Sequence, residues 1–194
     1  MISAPEPSEL LRKVFAAHTE NYGDPDVQFH FDQQNSTLTA LNYLDVFVWE
    51  PTEEIPMTTF STIGMAERAM PECPHRAEIH WTLRGKLTEA QEEEAAVFLL
   101  NLAALPFVKN TFLDHWHVLP NLRIPHFGGC SAGLMHPSFV DGGWDHMHAE
   151  NTIVKFLNFV PLTQSELDMA RTMGVRRMLN ALYESQTDIF SDRM

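Results

Sequence analysis

Apolar and polar positions alternate most plainly along "AEIHWTLR" (77–84). Ala77, Ile79, Trp81 and Leu83 fall on one side, and Glu78, His80, Thr82 and Arg84 on the other. A period of two predicts a half-buried strand with those four polar side chains outward. "VQFHFD" (27–32) repeats the pattern with Val27, Phe29 and Phe31 inward. "LNYLDVFVWEP" (41–51) is more uniformly apolar and suits a central strand covered on both faces. "MTTFSTIG" (57–64) and "NTIVKFLNFVPL" (151–162) complete the predicted strands, the first ending at Gly64.

Between them the period changes to that of helices. Residues 7–21 predict a helix stopped by Gly23 and Pro25 in "NYGDPD". In "LTEAQEEEAAVFLLNLAAL" (87–105), Thr88 and Gln91 form a capping box, and four glutamates at 89 and 92–94 sit near the positive end of the helix dipole. The remainder is apolar nearly all round, which predicts a helix buried against a sheet and ended by Pro106. Thr163 and Glu166 make a second capping box, with Leu162 and Leu167 placed as a hydrophobic staple. That helix runs to about Met173, Gly174 closes it, and "VRRMLNALYES" gives a last amphipathic segment. Residues 107–150, punctuated by glycines and prolines, read as irregular. The order predicts one α+β domain over residues 1–194, with a central, mostly antiparallel sheet packed with helices.

Composition narrows the function classes. Hydrophobic residues make up 44% and charged residues 20%, as in ordinary globular domains. No run reaches the ~20 apolar residues that span a bilayer, and "MISAPEPSELLRKVFAAH" lacks the layout of a secretion signal. Cys73 and Cys130 are the only cysteines, which fits a reducing compartment; the expected location is the cytoplasm. The net charge of −13 is uneven: residues 1–60 hold ten acids and two bases, residues 151–194 five of each. Such a surface repels nucleic acid and anionic membrane and attracts a basic protein partner.

Two packets invite a metal. "DHWH" (114–117) and "DHMH" (145–148) set His115 with His117 and His146 with His148 at a spacing that puts both rings on one side of an extended chain. Four imidazoles would suit zinc, and a metal-dependent hydrolase is the alternative reading they carry. Neither packet has the helical His-Glu-x-x-His spacing that places a general base beside the metal, and polar histidines capping loops and strand ends are the preferred reading. Cys73 with His75, and His126 with Cys130, could be thiol–base pairs, though no third orienting group is evident. Trp144, after Gly142 and Gly143, is either tucked in or offered to a partner. No motif calls for a cofactor.

Three stretches carry a family resemblance. "TTFSTIGMAERAM" (58–70) followed by "RAEIHWTL" (76–83) resembles the core signature of the Suppressor of Fused (SUFU) domain family. "VKFLNFVPLTQSELDMARTMGVRRMLNAL" (154–182) is similar to the family's closing strand and helices, and "WHVLPN" (116–121) resembles a short segment of bacterial members. There Trp116 stands where those relatives usually place glycine. The resemblance covers about residues 40–185. It implies an α+β fold and a non-catalytic, protein-binding role. The family's eukaryotic member is a two-lobed cytoplasmic regulator that clasps a peptide strand, and bacterial members are proposed immunity proteins that neutralise toxins. The expected partner here is a basic protein, such as a toxin, met by Asp24, Asp26, Glu50, Glu53 and Glu54 of the acidic N-terminal third. Glu67 and Arg68 at the signature turn and Trp144 are further candidates, with Glu67 and Arg68 otherwise a solvated pair. A peptide-binding adaptor that adds a strand to a free sheet edge is a third reading.

Overall fold

The computed structural model describes residues 7–32, 40–140, 142–149 and 151–193. Helix α1 (Glu9–Tyr22) leads into β1 (Val27–Asp32), β2 (Tyr43–Trp49) and β3 (Met57–Ile63). A 3-10 turn (Met65–Glu67) connects to β4 (Arg76–Arg84), and α2 (Glu89–Lys109) follows. Then come β5 (Val118–Pro120), β6 (Cys130–His136), β7 (His146–Ala149), β8 (Thr152–Thr163), α3 (Gln164–Met173) and α4 (Val175–Glu184). The strands form one eight-stranded sheet in the order β1-β2-β3-β4-β8-β6-β5, with β7 also on β8. β4 and β8 run parallel; every other pair is antiparallel. Because β4 occupies one edge of β8, β7 and β6 share the other, β7 at residues 152–155 and β6 at 158–163.

Strand β8 shows how the layers divide. Leu157 and Phe159 join the core under α2, together with Val46, Val48, Phe60, Ile79 and Trp81. The opposite parity splits in two: Val154 and Phe156 pack under α1, while Val160 and Leu162 pack under α3 and α4. The sheet is therefore covered on both faces. This corrects the expectation for β4, whose Glu78 lies buried under the turn after β3 and whose His80 lies buried under α1, instead of facing water.

Both capping boxes form, Thr88 with Gln91 and Thr163 with Glu166. Leu162 and Leu167 meet in one cluster, as a staple requires. Helix α2 runs through Pro106 to Lys109, where Asn110 closes it with φ 51°. The proline removes only one amide donor near the helix end, so packing carries the last turn past it. Residues 107–150 are not irregular throughout, for they hold three strands. β6 escaped because "CSAGLMH" is small and weakly patterned. Its Gly133 is required sterically: a Cβ there would stand 2.0 Å from the Phe159 ring.

Candidate partner-binding surface

The turn after β3 is built around a buried carboxylate. Glu78, fully buried on β4, accepts hydrogen bonds from the Thr62 hydroxyl at 2.6 Å and from the Gly64 and Ala66 amides at 2.9 Å each. The same Thr62 oxygen accepts from the Ile79 amide. Burial pushes the Glu78 carboxyl up to about 7, against the opposing pull of those donors. Gly64 has φ 138°, and a Cβ there would meet Tyr43 O at 2.9 Å, so the turn admits no side chain at that point. Glu67 and Arg68 project from this turn without pairing to each other. Ser8 donates to Glu67 at 2.6 Å; Arg68 donates to Ala40 O and lies 5.0 Å over the Phe107 ring. Both side chains tie neighbouring segments to the turn.

The acidic candidates gather at another corner. Asp26 accepts the Glu50 amide at 2.8 Å, which joins the start of β1 to the end of β2. Lys86 is ion-paired to Glu50. Glu92, from the first turns of α2, is raised by its burial and by the charges of Glu50, Glu89 and Asp26. The helix therefore adds exposed Glu89, with Glu92 buried behind it, to a patch that the sequence suggests from residues 24–54 alone. The missing signal was tertiary, since nothing local places the start of α2 beside the β2–β3 loop. That loop is ordered by its own bonds, with Thr52 N to Ile55 O at 2.9 Å and Ile55 N to Thr52 Oγ1 at 3.0 Å. It holds Glu53 and Glu54 exposed, beside an Ile55 that is 63% exposed. Among the described residues neither glutamate carries an ion pair.

Trp144 is tucked in. Its ring lies 3.9 Å from that of Phe156 and roofs a buried polar core of His18, Ser61 and His80. In that core His18 Nδ1 donates to Val14 O at 2.7 Å, so Nε2 is the acceptor. Ser61 Oγ lies 2.7 Å and His80 Nε2 2.9 Å from that nitrogen. Burial lowers His18 to about 4 and His80 well below its ordinary value, so both rings are neutral. A serine against an imidazole suggests a nucleophile, but none of the three side chains is more than 1% exposed, which leaves no surface for a substrate.

The histidine packets approach each other without forming one site. Phe156 links them, its carbonyl contacted by His115 Nε2 at 3.1 Å and its amide donating to Asp145 O at 2.8 Å. His117 turns to Phe112, with ring centroids 5.2 Å apart. His146 and His148 face each other at 5.3 Å, and Asp145 holds His146 at 2.6 Å. Among the described residues no three His, Cys, Asp or Glu side chains come close enough to share a metal ion. Asp114 pairs with Lys155 at 2.6 Å and lies 3.6 Å from His75, the third group that the Cys73–His75 pair lacked in sequence. Yet Cys73 Sγ is nearly equidistant from the two ring nitrogens, 3.3 and 3.4 Å, which sets it over the ring face and off the in-plane lone pairs. Burial also raises its thiol, so the sulfur is held protonated.

Trp116, in "DHWH", has φ 72° and is 37% exposed. Positive φ explains why a glycine would sit well at this position.

The model of the Suppressor of fused protein family matches residues 41–192. The chain belongs to the Suppressor of fused family. No curated protein matches it by sequence. In structure, it is similar to a crystal structure described as that of a Suppressor of fused homologue from Neisseria gonorrhoeae FA 1090, with TM-score 0.67, 15% identity and 94% of each chain covered. It is similar as well to a chain of the Sufu–Fu complex, with TM-score 0.65 and 14% identity over 96% of this chain and 86% of that one. Drosophila Suppressor of Fused gives TM-score 0.61 and 13% identity over 93% of this chain, which spans only 46% of the Drosophila chain. At these identities the likeness shows a shared fold. The Suppressor of fused signature then gains a physical meaning: its threonine, glycine and glutamate build the 62–66 turn on Glu78.

Proposed function

We propose that this Suppressor of fused domain is a non-catalytic, protein-binding regulator that masks a basic protein partner, as an immunity protein neutralises a toxin. The observation that carries the reading is the 51–56 loop, which presents Glu53, Glu54 and an exposed Ile55 from a backbone fixed by its own hydrogen bonds. A pre-ordered loop loses little entropy on binding, and an apolar side chain ringed by carboxylates suits a basic surface with a small hydrophobic pocket. Asp24, Asp26 and Glu50 extend the same patch. The family supports a regulatory role, and Sufu in the solved Sufu–Fu complex is held against a protein. A reducing, cytoplasmic setting agrees with free Cys73 and Cys130.

The experiment captures the partner on immobilised chain and then measures its affinity by calorimetry. A basic protein retained by the native chain, lost from the Glu53→Gln/Glu54→Gln/Asp24→Asn/Asp26→Asn chain, is the expected result. Equal retention by both chains, with the same salt dependence, overturns the reading. Strand addition keeps a second place because β1, six residues long, is the longest of the strands with a single neighbour among the described residues, β7 being four residues and β5 three that end in Pro120. The hydrolase reading finds no gathered ligand set among the described residues to act through.

A further inference from the structure

A second face has the opposite sign and a different chemistry. Trp116, held at φ 72° by its amide's 2.6 Å bond to Met135 O, stacks edge-on against His136 at 5.0 Å. His136 lies parallel to Phe139 at 5.2 Å, and Phe139 meets Phe190 at 5.1 Å. The aromatic row is open to water: Phe139 is 40% and its neighbour Val140 69% exposed. Arg176 from α4 reaches over the Trp116 ring at 5.6 Å. Among the described residues no carboxylate pairs with Arg176 or with exposed Arg177 beside it. A bulky residue rarely adopts positive φ, and a conformation of that kind persists where the surrounding structure imposes it. Exposed Trp, Phe and Arg together are the composition of interface anchors, and an apolar patch of this sort marks an interaction site.

We propose that this face binds an acidic, apolar peptide segment of a second protein. Leucine and phenylalanine side chains would lie along Trp116, Phe139 and Val140, and a carboxylate would accept from the free guanidinium donors of Arg176. Among the described residues no group accepts from this guanidinium, so its donors over Trp116 are available to a carboxylate. The sign of the occupant follows from charge: Asp188, beside Phe190, is answered by Arg84, whereas Arg176 over Trp116 pairs with no carboxylate among the described residues.

Fluorescence anisotropy with two labelled probe peptides of equal length tests it, one alternating Asp and Glu with Leu and Phe, the other carrying Lys and Arg in place of the acids. The acidic probe binds the native chain, the basic one does not bind this face, and Arg176→Glu weakens the acidic probe by at least ~10-fold. Trp116→Gly weakens it likewise while keeping or raising the melting temperature, since glycine adopts this backbone without strain. Glu53→Gln/Glu54→Gln leaves acidic-probe binding unchanged, which keeps this result separate from the fate of the acidic corner. The proposal is overturned if the acidic probe fails to bind or if Arg176→Glu binds it as well as the native chain. It is equally overturned if sedimentation shows a dimer that Arg176→Glu dissolves, for the occupant is then a second copy.

Discussion

Replacing Glu78 with alanine strands the Gly64 and Ala66 amides and the Thr62 hydroxyl in the core. Each buried group left without a partner costs about 1–3 kcal/mol, so Glu78→Ala should lose ~3 kcal/mol or more in denaturant unfolding. Glu78→Gln keeps one oxygen for both amides and should lose clearly less; equal losses would mean that the hydrogen bonds do not hold the turn. Gly133→Ala drives a methyl into Phe159 and should cost about 1–3 kcal/mol by overpacking. A neutral effect in the same unfolding assay would show that the ring swings aside freely. Neither role was legible locally. Alternation placed Glu78 correctly on the face opposite Ile79, but alternation says only that two faces differ. It does not say that the polar face meets water, and here the 62–66 turn lies across Glu78 and α1 across His80.

At the scale of elements, α1 is docked through neutral imidazoles, and this sets a pH dependence. The folded values of His18, about 4, and of His80 lie below the unfolded value near 6.5. As pH falls through that window the unfolded chain takes up protons that the native chain refuses. Stability contributed by the neutral pair is therefore complete above about 6.5 and lost towards 4, at up to about 1.4 kcal/mol per pH unit for each group. Glu78 has the opposite sign. Its folded value near 7 lies above the ordinary 4.5, so its contribution is full below about 4.5 and lost as pH rises through 7. Denaturant unfolding from pH 4 to 7.5 should thus show a steeper acid loss in Glu78→Gln and a shallower one in His18→Gln than in the native chain. Parallel profiles for all three would sink the assignment. The elements themselves were largely readable, because α1 to α4 and β1 to β4 announce themselves by period and caps. β5 to β7 did not, because small residues, prolines and glycines form strands only when a neighbour such as β8 supplies the pairing and the packing.

Over the whole molecule, the candidate partner site was half legible. Charge counting found the N-terminal excess, but only the fold brings Glu89 and Glu92 of α2 against Asp26 and Glu50, and only the fold separates Glu67, Arg68 and Trp144 as side chains already engaged in holding the structure. The two proposed faces then differ in how the field of the entire chain acts on an approaching partner. A net charge of −13 draws a basic protein toward the acidic corner from beyond contact range, so its association rate should fall steeply with added salt. An acidic peptide heading for Trp116 and Arg176 meets the same field as repulsion, and the attraction of Arg176 is felt only within a Debye length, about 8 Å at physiological salt. Screening removes the long-range repulsion first. Stopped-flow association rates measured from 20 mM to 300 mM salt (roughly the span over which surface fields are screened) should therefore fall for the basic partner and hold level or rise for the acidic probe. A steep fall for both would mean that local arginine charge, and not the field of the whole chain, governs the encounter at the aromatic face.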